Sequence, residues 1–139
     1  MTQLQRVLHT AKTHTAGGRG SGTSRSSDGR LDISFTNPGS PGTGTSPEQL
    51  LAAGWSACFM GAMGLAATKL KVTLPADMSV DAEIDLCMFE GAYFLQARLN
   101  VNVPGLHQEL ARAIVDAAHQ TCPYSKATRG NIDVVLSVV

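Results

Sequence analysis

Apolar and polar residues alternate along several stretches of the chain, which is the pattern of β-strands with one buried face. The alternation runs from Val80 to Leu86 and, after Glu90-Gly91, from Leu95 to Val103. These two runs predict a hairpin with one face in water. The stretch from Ile132 to Val138 alternates in the same way and predicts a last strand.

The N-terminal third of the chain predicts a second, shorter set of strands. Residues 7 to 15 and 31 to 35 are interpreted as strands, the second because Leu31, Ile33 and Phe35 alternate with polar residues. Asp28-Gly29 between them is a hairpin turn signal. Residues 37 to 46 hold two prolines and three glycines and therefore predict a loop.

A long uncharged segment follows that loop. Ser46 is typical of a helix N-cap, Pro47 suits the first helical position, and the helix is predicted to run to about Lys71. From Gln49 to Thr68 there is no charged residue, and this length would span a bilayer. The segment is rich in alanine and glycine, however, which is too weakly apolar for a membrane span. We therefore expect a central helix that is buried on all sides.

A second, amphipathic helix is predicted by the helical spacing of apolar residues from Leu106 to Ala118. It should stop at Thr121, because residues before a proline avoid helical angles. Together the elements predict an α+β fold in which antiparallel sheets pack on two helices. A chain of 139 residues is long enough for one core, so residues 1–139 are expected to form a single domain.

Composition and charge exclude several classes of function. The chain has 11 basic and 11 acidic residues without runs, so it lacks the basic stripe of a nucleic-acid-binding protein. Three cysteines do not form a secreted disulfide framework, and Met1–Arg6 does not open an apolar signal sequence. The four histidines show no paired metal-ligand spacing. We expect a cytoplasmic protein that binds small molecules or another protein, without a metal, another cofactor, a membrane or a nucleic acid.

Cys58 lies in a run of small and apolar residues within the predicted central helix. On a helical wheel it shares a face with Gly54, Ala57, Gly61 and Leu65. Small residues allow another backbone to approach closely, which predicts a second helix or a second subunit on this face. The opposite face carries Trp55, Phe59 and Met63. Taken alone, this segment leaves two interpretations of Cys58 open: a buried structural thiol, or a reactive one.

Cys122 stands where one helix ends and another turn can begin at Pro123. The amide dipoles of such a position stabilise a thiolate. Cys122-Pro123-Tyr124 is similar to a glutaredoxin motif, but Ser125 replaces the second cysteine and the motif comes too late in the chain. Cys87 falls in a predicted strand beside acidic residues and is interpreted as incidental.

An arginine in a glycine loop and a glutamate at a helix start could serve a thiol pair. Gly17 to Gly22 matches no phosphate-binding loop, so it is either a flexible turn or a device that presents Arg19 inward. A nearby guanidinium is one of the few groups that depress the pKa of a thiol. Glu48 either complements the helix dipole or orients Arg19 and handles a proton. These residues together predict a site that reduces peroxides with two thiols.

Four segments, in their order and spacing, carry a resemblance to a known family: Gly17-Gly18-Arg19, Ser46 to Leu50, Ser56 to Phe59, and His119 through Cys122-Pro123-Tyr124-Ser125 to Asn131. The chain resembles the organic hydroperoxide resistance branch of the Ohr/OsmC family over essentially its whole length. The Cys122 to Ser125 block with its continuation from Ala127 to Asn131 is the most specific part of the resemblance.

The resemblance implies a bacterial thiol peroxidase with the OsmC-like α+β fold and an intertwined homodimer. In this family the residue at Cys58 attacks the peroxide, Cys122 resolves the product as a disulfide, and Arg19 and Glu48 activate Cys58. The disulfide is reduced by dihydrolipoyl groups on lipoylated proteins. Cys87 has no place in the family motif.

Two further expectations concern the surroundings of Cys58. Glu48 lies ten positions before Cys58, about 15 Å along an unbroken helix, so either the helix breaks near Gly54 or the glutamate comes from a partner chain. Apolar neighbours should favour organic over hydrogen peroxide; these are Phe59, Met60, Met63 and either Phe35 or Phe94.

Two other functions stay open. The first is a non-catalytic module, redox-responsive or lipid-binding, that uses the same fold. The second is a glutaredoxin-like transferase that uses Cys122 alone. The first would show no turnover with organic hydroperoxides, and the second would keep its activity after loss of Cys58.

Overall fold

The computed structural model describes residues 6–139, and the chain divides into two compact units, Met1–Pro47 and Glu48–Val139. The expectation that the N-terminus lacks a signal sequence rests largely on Met1–Gln5, which lie outside the described residues. A single domain over residues 1–139 stays a prediction.

The first unit contains a three-stranded antiparallel sheet in the order β1-β2-β3. The strands are β1 (Thr13–Ala16), β2 (Thr23–Ser26) and β3 (Asp32–Ser34), and α1 (Gly18–Ser21) is a single turn between β1 and β2. The register pairs Thr13 with Ser26 and Ser24 with Ile33. Beyond β3, Phe35 forms an isolated bridge with Thr45.

The strand predicted over residues 7 to 15 is wrong at its start, because pairing with β2 begins only at Thr13. β2 was not predicted from the sequence. Its residues Thr-Ser-Arg-Ser hold no apolar side chain, so no alternation marks them. The Asp28-Gly29 turn is confirmed, but it joins β2 to β3 rather than the two predicted strands. Gly29 there has φ +76°, a left-handed conformation that glycine adopts without strain.

The glycine-rich segment around Arg19 is an ordered turn. The N–H of Gly22 donates to the carbonyl of Gly18 at 2.9 Å and closes α1. A Cβ atom on Gly22 would lie 2.3 Å from the carbonyl oxygen of Ala16, and Gly17 has φ +82°. Both positions therefore require glycine, which is a structural reason for the motif. Arg19 itself is exposed in this turn.

The second unit packs helices on a three-stranded sheet in the order β4-β5-β6. Its elements are α2 (Pro47–Leu70), β4 (Ser79–Phe89), β5 (Ala92–Asn102), α3 (Gln108–Thr121), α4 (Pro123–Thr128) and β6 (Asp133–Val138). The predicted long helix, hairpin, amphipathic helix and last strand are all confirmed. The short helix α4 was not predicted beyond a possible turn.

The core lies between α2, α3 and the inner face of the sheet. Alternate residues of β5 are buried, among them Leu99 and Val101, while α2 contributes Trp55, Phe59 and Met63. The outer face of the hairpin is wet, as predicted. There the Arg98 guanidinium donates to Asp85 at 2.8 and 2.9 Å and to Glu83 at 2.6 Å, and it lowers the pKa of Asp85 to about 2.

The sheet of the second unit is mixed, whereas the sequence predicted antiparallel sheets. β4 and β5 are antiparallel, but β5 and β6 run parallel, with Leu99 opposite Leu136. Parallel neighbours need a long crossover connection, and α3 and α4 supply it between Asn102 and Asp133. The fold class, α+β, is as predicted.

One side of α2 is buried and the other is not, so the expectation of a helix buried on all sides is wrong for this chain. Trp55, Phe59 and Met63 are fully buried, whereas Leu65 is 65% exposed, and Ala57 and Gly61 are exposed beside it. By length and composition α2 could cross a membrane. Its apolar side packs into the core of the second unit, which makes it a core helix.

Candidate active site

Folding brings together two cysteines that lie 64 positions apart. The Cys122 thiol donates to the sulfur of Cys58, and the two Sγ atoms are 3.5 Å apart. Cys58 is partly exposed on α2, whereas Cys122 is fully buried. A disulfide bond is about 2 Å long, so side-chain rotation can close this pair. Both cysteines are free thiols here, so the arrangement is that of a reduced, closable dithiol.

Cys122 joins two helices. Its N–H donates to Ala118 at 2.8 Å and ends α3, and its carbonyl accepts from the N–H of Lys126 at 2.9 Å and begins α4. Its backbone is extended, with φ −60° and ψ 123°, and Pro123 occupies the first helical position. The predicted junction at Pro123 is confirmed. Backbone hydrogen bonds hold Cys122 on both sides, so the position of its Cα atom, from which the side chain extends, is fixed.

The start of α4 acts on Cys58. The backbone N–H of Tyr124 donates to the Cys58 sulfur and by itself lowers the pKa of that thiol. Burial, the largest effect, and the adjoining Cys122 thiol together raise the pKa by more than this hydrogen bond lowers it, so the pKa of Cys58 lies above its ordinary value. From the sequence, the amide dipoles of this turn were expected to act on Cys122. A proline at the first helical position leaves the next N–H free, and this signal could have identified Tyr124.

Two side-chain contacts hold α4 in its packed position against α2. A Cβ atom on Gly54 would lie 3.1 Å from Tyr124 Oη and 3.5 Å from its ring carbons, so the tyrosine ring lies over the glycine. Trp55 Nε1 donates to Ser125 Oγ at 3.2 Å, and both residues are fully buried. Neither contact was foreseen from the sequence, because both depend on how two distant helices pack.

Glu48 lies in the first turn of α2 and is partly buried. The helix continues without a break from Pro47 to Leu70, so the proposed break near Gly54 is wrong. Glu48 and Cys58 of one chain are therefore about 15 Å apart along the axis and cannot share a hydrogen bond. The roles of Arg19 and Glu48 beside Cys58 stay predictions.

The remaining titratable groups that the sequence singled out are Cys87 and the histidines. Cys87 lies on β4 as expected, with its sulfur 4.0 Å from the carbonyl of Asp85. His119, one turn before Cys122, has a buried Nδ1 without a hydrogen-bond partner, and Arg129 donates to its carbonyl. Burial and the charge of Arg129 lower the pKa of His119. Among residues 6–139, no cluster of three or more His, Cys, Asp or Glu side chains is placed to hold a metal ion.

The apolar residues that the sequence predicted around Cys58 differ in how far they are exposed to solvent and so to a substrate. Phe59 and Met63 are fully buried in the core, so they face away from an incoming substrate. Met60 is half-buried, Phe94 is 44% exposed, and Tyr124 is 40% exposed where it lies over α2. The ring of Tyr124 is thus an apolar surface beside the Cys58 thiol. It was not among the apolar neighbours predicted from the sequence.

Comparison with known proteins shows the family. Residues 39–137 match the family model described as OsmC-like protein. The chain is 43% identical to an organic hydroperoxide resistance protein of Xanthomonas axonopodis pv. citri, with 99% of each chain covered. It is 42% identical to the organic hydroperoxide resistance protein OhrB of Bacillus subtilis, over 95% of this chain and 98% of the relative.

Solved structures agree with this assignment. The crystal structure of OhrB of Bacillus subtilis superposes with a TM-score of 0.90 at 41% identity, covering 96% of this chain and all of that one. An organic hydroperoxide resistance protein from Legionella pneumophila gives a TM-score of 0.88 at 40% identity, covering 96% of this chain and 98% of the other. The fold described above is therefore that of organic hydroperoxide resistance proteins.

Proposed function

Since the chain belongs to the OsmC-like protein family, we propose that it is a thiol peroxidase that reduces organic hydroperoxides to alcohols. The observation that carries the proposal is the 3.5 Å separation of a partly exposed Cys58 sulfur and a buried Cys122 sulfur. An accessible thiol beside a protected one can be oxidised first and then resolved within the same chain.

In the first step, the Cys58 thiolate attacks the outer oxygen of the hydroperoxide. The O–O bond breaks, an S–O bond forms, and the alkoxide leaves and takes up a proton to become the alcohol. The sulfur is oxidised by two electrons to a sulfenic acid, and the peroxide is reduced by two electrons. The Tyr124 N–H that contacts the Cys58 sulfur supports this step by favouring the thiolate.

In the second step, Cys122 resolves the sulfenic acid. Its sulfur attacks Cys58 Sγ, the S–O bond breaks, and the hydroxide leaves with the Cys122 proton as water. Cys122 already donates to Cys58, so no large movement is required. Burial also protects Cys122 from direct oxidation and disfavours a glutaredoxin-like reaction on this thiol alone.

A dithiol completes the cycle by exchange with the disulfide. We assign this role to dihydrolipoyl groups on lipoylated proteins, as the family resemblance implies, and place the reaction in the cytoplasm. One dithiol loses two electrons and two protons and becomes a cyclic disulfide, while Cys58 and Cys122 regain their protons.

The thiolate of Cys58 needs a cation, because burial and Cys122 together raise the pKa of this thiol. Arg19 fits that chemical need, since a guanidinium stays charged and favours the thiolate, and Glu48 would orient it. The unbroken α2 excludes Glu48 of the same chain as a direct partner of Cys58. We therefore assign Glu48 to the site of the partner chain, in a composite active site.

A homodimer also accounts for the apolar surface of the second unit. Leu65 on α2 is 65% exposed beside Ala57 and Gly61, and at the hairpin tip Phe89 and Tyr93 are 64% and 71% exposed. Phe89 and Tyr93 lie close together at the hairpin tip, and neighbouring exposed apolar side chains are typical of surfaces that another protein covers. The small residues of α2 let a second backbone approach closely, which suits a second copy of this chain.

Steady-state kinetics test the proposal. The purified chain is assayed with fatty-acid, aryl and alkyl hydroperoxides and with hydrogen peroxide, against dihydrolipoamide, thioredoxin and glutathione as reductants. Organic substrates should be preferred, because each methylene buried against Tyr124 or Met60 contributes about 0.8 kcal/mol. Turnover should require a dithiol and vanish in Cys58→Ser. Absence of turnover with every pair would instead favour a non-catalytic redox-responsive or lipid-binding module.

A further inference from the structure

Trp55 and Ser125 form a buried hydrogen bond that runs alongside the thiol pair. Trp55 lies three residues before Cys58 on α2, and Ser125 lies three residues after Cys122 on α4. The indole Nε1 donates to the serine Oγ at 3.2 Å, and neither residue is exposed. The bond and the sulfur pair therefore connect the same two short segments of chain.

The bond fixes the position of α4 against α2 because both groups are buried. An indole N–H has no alternative in an apolar core, and a buried hydroxyl likewise needs a partner. Sliding one helix past the other would leave both groups without a hydrogen bond, which costs more than the bond itself contributes. Tyr124 lying over Gly54 limits the same movement by contact.

Because the backbone between each member of the hydrogen bond and the neighbouring cysteine is rigid, fixing α4 against α2 also fixes the positions of the two sulfur atoms. Trp55 and Cys58 belong to one unbroken helix, less than one turn apart. Ser125 belongs to the first turn of α4, which begins at the carbonyl of Cys122. We propose that the Trp55–Ser125 hydrogen bond is a positioning pair that holds Cys58 and Cys122 within disulfide-forming distance. Its purpose in catalysis rests on the proposed peroxidase function, but its effect on the thiol pair does not.

Equilibrium with glutathione measures that effect without any peroxide. Glutathione disulfide takes two electrons from Cys58 and Cys122, two S–H bonds are replaced by one S–S bond, and two glutathione thiols are formed. The equilibrium constant of this exchange gives the effective concentration of the Cys122 thiol at Cys58. Preorganisation raises that concentration, so loss of the positioning pair should lower it.

Five variants separate positioning from packing. Ser125→Ala removes the acceptor, Trp55→Phe removes the donor, and the double variant removes both. Val101→Ala is the matched control, because it opens a cavity in the same core on β5, away from the contact between α2 and α4. Ser125→Thr retains the hydroxyl and should restore the bond. Unfolding midpoints are measured for every variant, so that a loss of stability is recorded separately.

The chain's only tryptophan provides a spectroscopic readout of the pair itself. Ser125→Ala should shift the emission of Trp55 because its N–H loses its partner, whereas Val101→Ala should leave the emission unchanged. Oxidation of the neighbouring thiols should alter Trp55 fluorescence in the wild type, and this change should be smaller in Ser125→Ala.

We expect each single variant to lower the effective concentration about tenfold, the order set by loss of one buried hydrogen-bond partner. The double variant should lose no more than either single one, since both remove the same bond. The proposal is overturned if Ser125→Ala and Trp55→Phe keep the wild-type constant, or if Val101→Ala lowers it equally. A wild type that forms the disulfide in glutathione buffer but ignores hydroperoxides would refute the peroxidase function alone.

Discussion

The ring of Tyr124 lies over Gly54, where an added Cβ atom would be 3.1 Å from Tyr124 Oη. Tyr124 lies in the first turn of α4, and its backbone N–H donates to the Cys58 sulfur. Gly54 therefore influences the site by leaving room for Tyr124 of α4, although it makes no bond to either thiol.

Gly54→Ala should separate stability from activity. Alanine favours a helix over glycine by about 1 kcal/mol, but the new Cβ would push Tyr124 away. Because that tyrosine is 40% exposed and can move, we expect near-neutral stability and a several-fold loss in kcat/KM. Gly64→Ala is the matched control on the same helix, since its added Cβ meets nothing within 4 Å. Unfolding curves and peroxide kinetics check both, and wild-type kcat/KM in Gly54→Ala would contradict the account.

Complementation between inactive chains tests the composite site. Cys58→Ser and Glu48→Ala should each be inactive as homodimers. In the proposed composite site a mixed dimer would hold one intact site, because Glu48 from the Cys58→Ser chain would face Cys58 of its partner. Activity should therefore reappear after subunit exchange, up to about one half of the wild-type value per mixed dimer. If labelled chains exchange freely and no activity returns, Glu48 does not act across the interface.

His119 should make the protein less stable in mild acid. Burial and the charge of Arg129 lower its folded pKa below the ordinary value of 6.5, so the unfolded chain binds the proton more readily. The stability contributed by neutral His119 is full above pH 6.5 and is lost as the pH falls through the lowered folded pKa. Urea unfolding across this range should show a smaller pH dependence in His119→Gln.

The regular elements of the second unit were predictable because local patterns specify them. Strict alternation marked both hairpin strands, and a proline at the first helical position marked the start of α2. β2 was not predictable, because its polar residues carry no periodic signal and it exists through pairing with β1 and β3. The parallel pairing of β6 likewise depends on the path of the crossover, which periodicity does not encode.

The thiol pair was predicted from the contexts of the two cysteines and from a family resemblance, whereas the contacts that support it depend on packing. Nothing in the local sequence links Trp55 to Ser125 or Gly54 to Tyr124, because each pair spans about 70 positions and forms only when α4 packs on α2. The pattern also suggested that α2 was buried all round. An uncharged sequence does not show which side of a helix packs against the core of its own chain.

The central claim is that a hydroperoxide oxidises Cys58 and that Cys122 then resolves it. Intact-protein mass spectrometry after one equivalent of an organic hydroperoxide tests this claim most directly. The wild type and Cys87→Ser should each lose two hydrogen atoms through a Cys58–Cys122 disulfide. Cys122→Ser should gain one oxygen atom on Cys58 and further oxygen with excess peroxide, because its sulfenic acid has no partner. A wild type that keeps all its thiols, or a Cys122→Ser variant that turns over normally with a dithiol, would contradict the account.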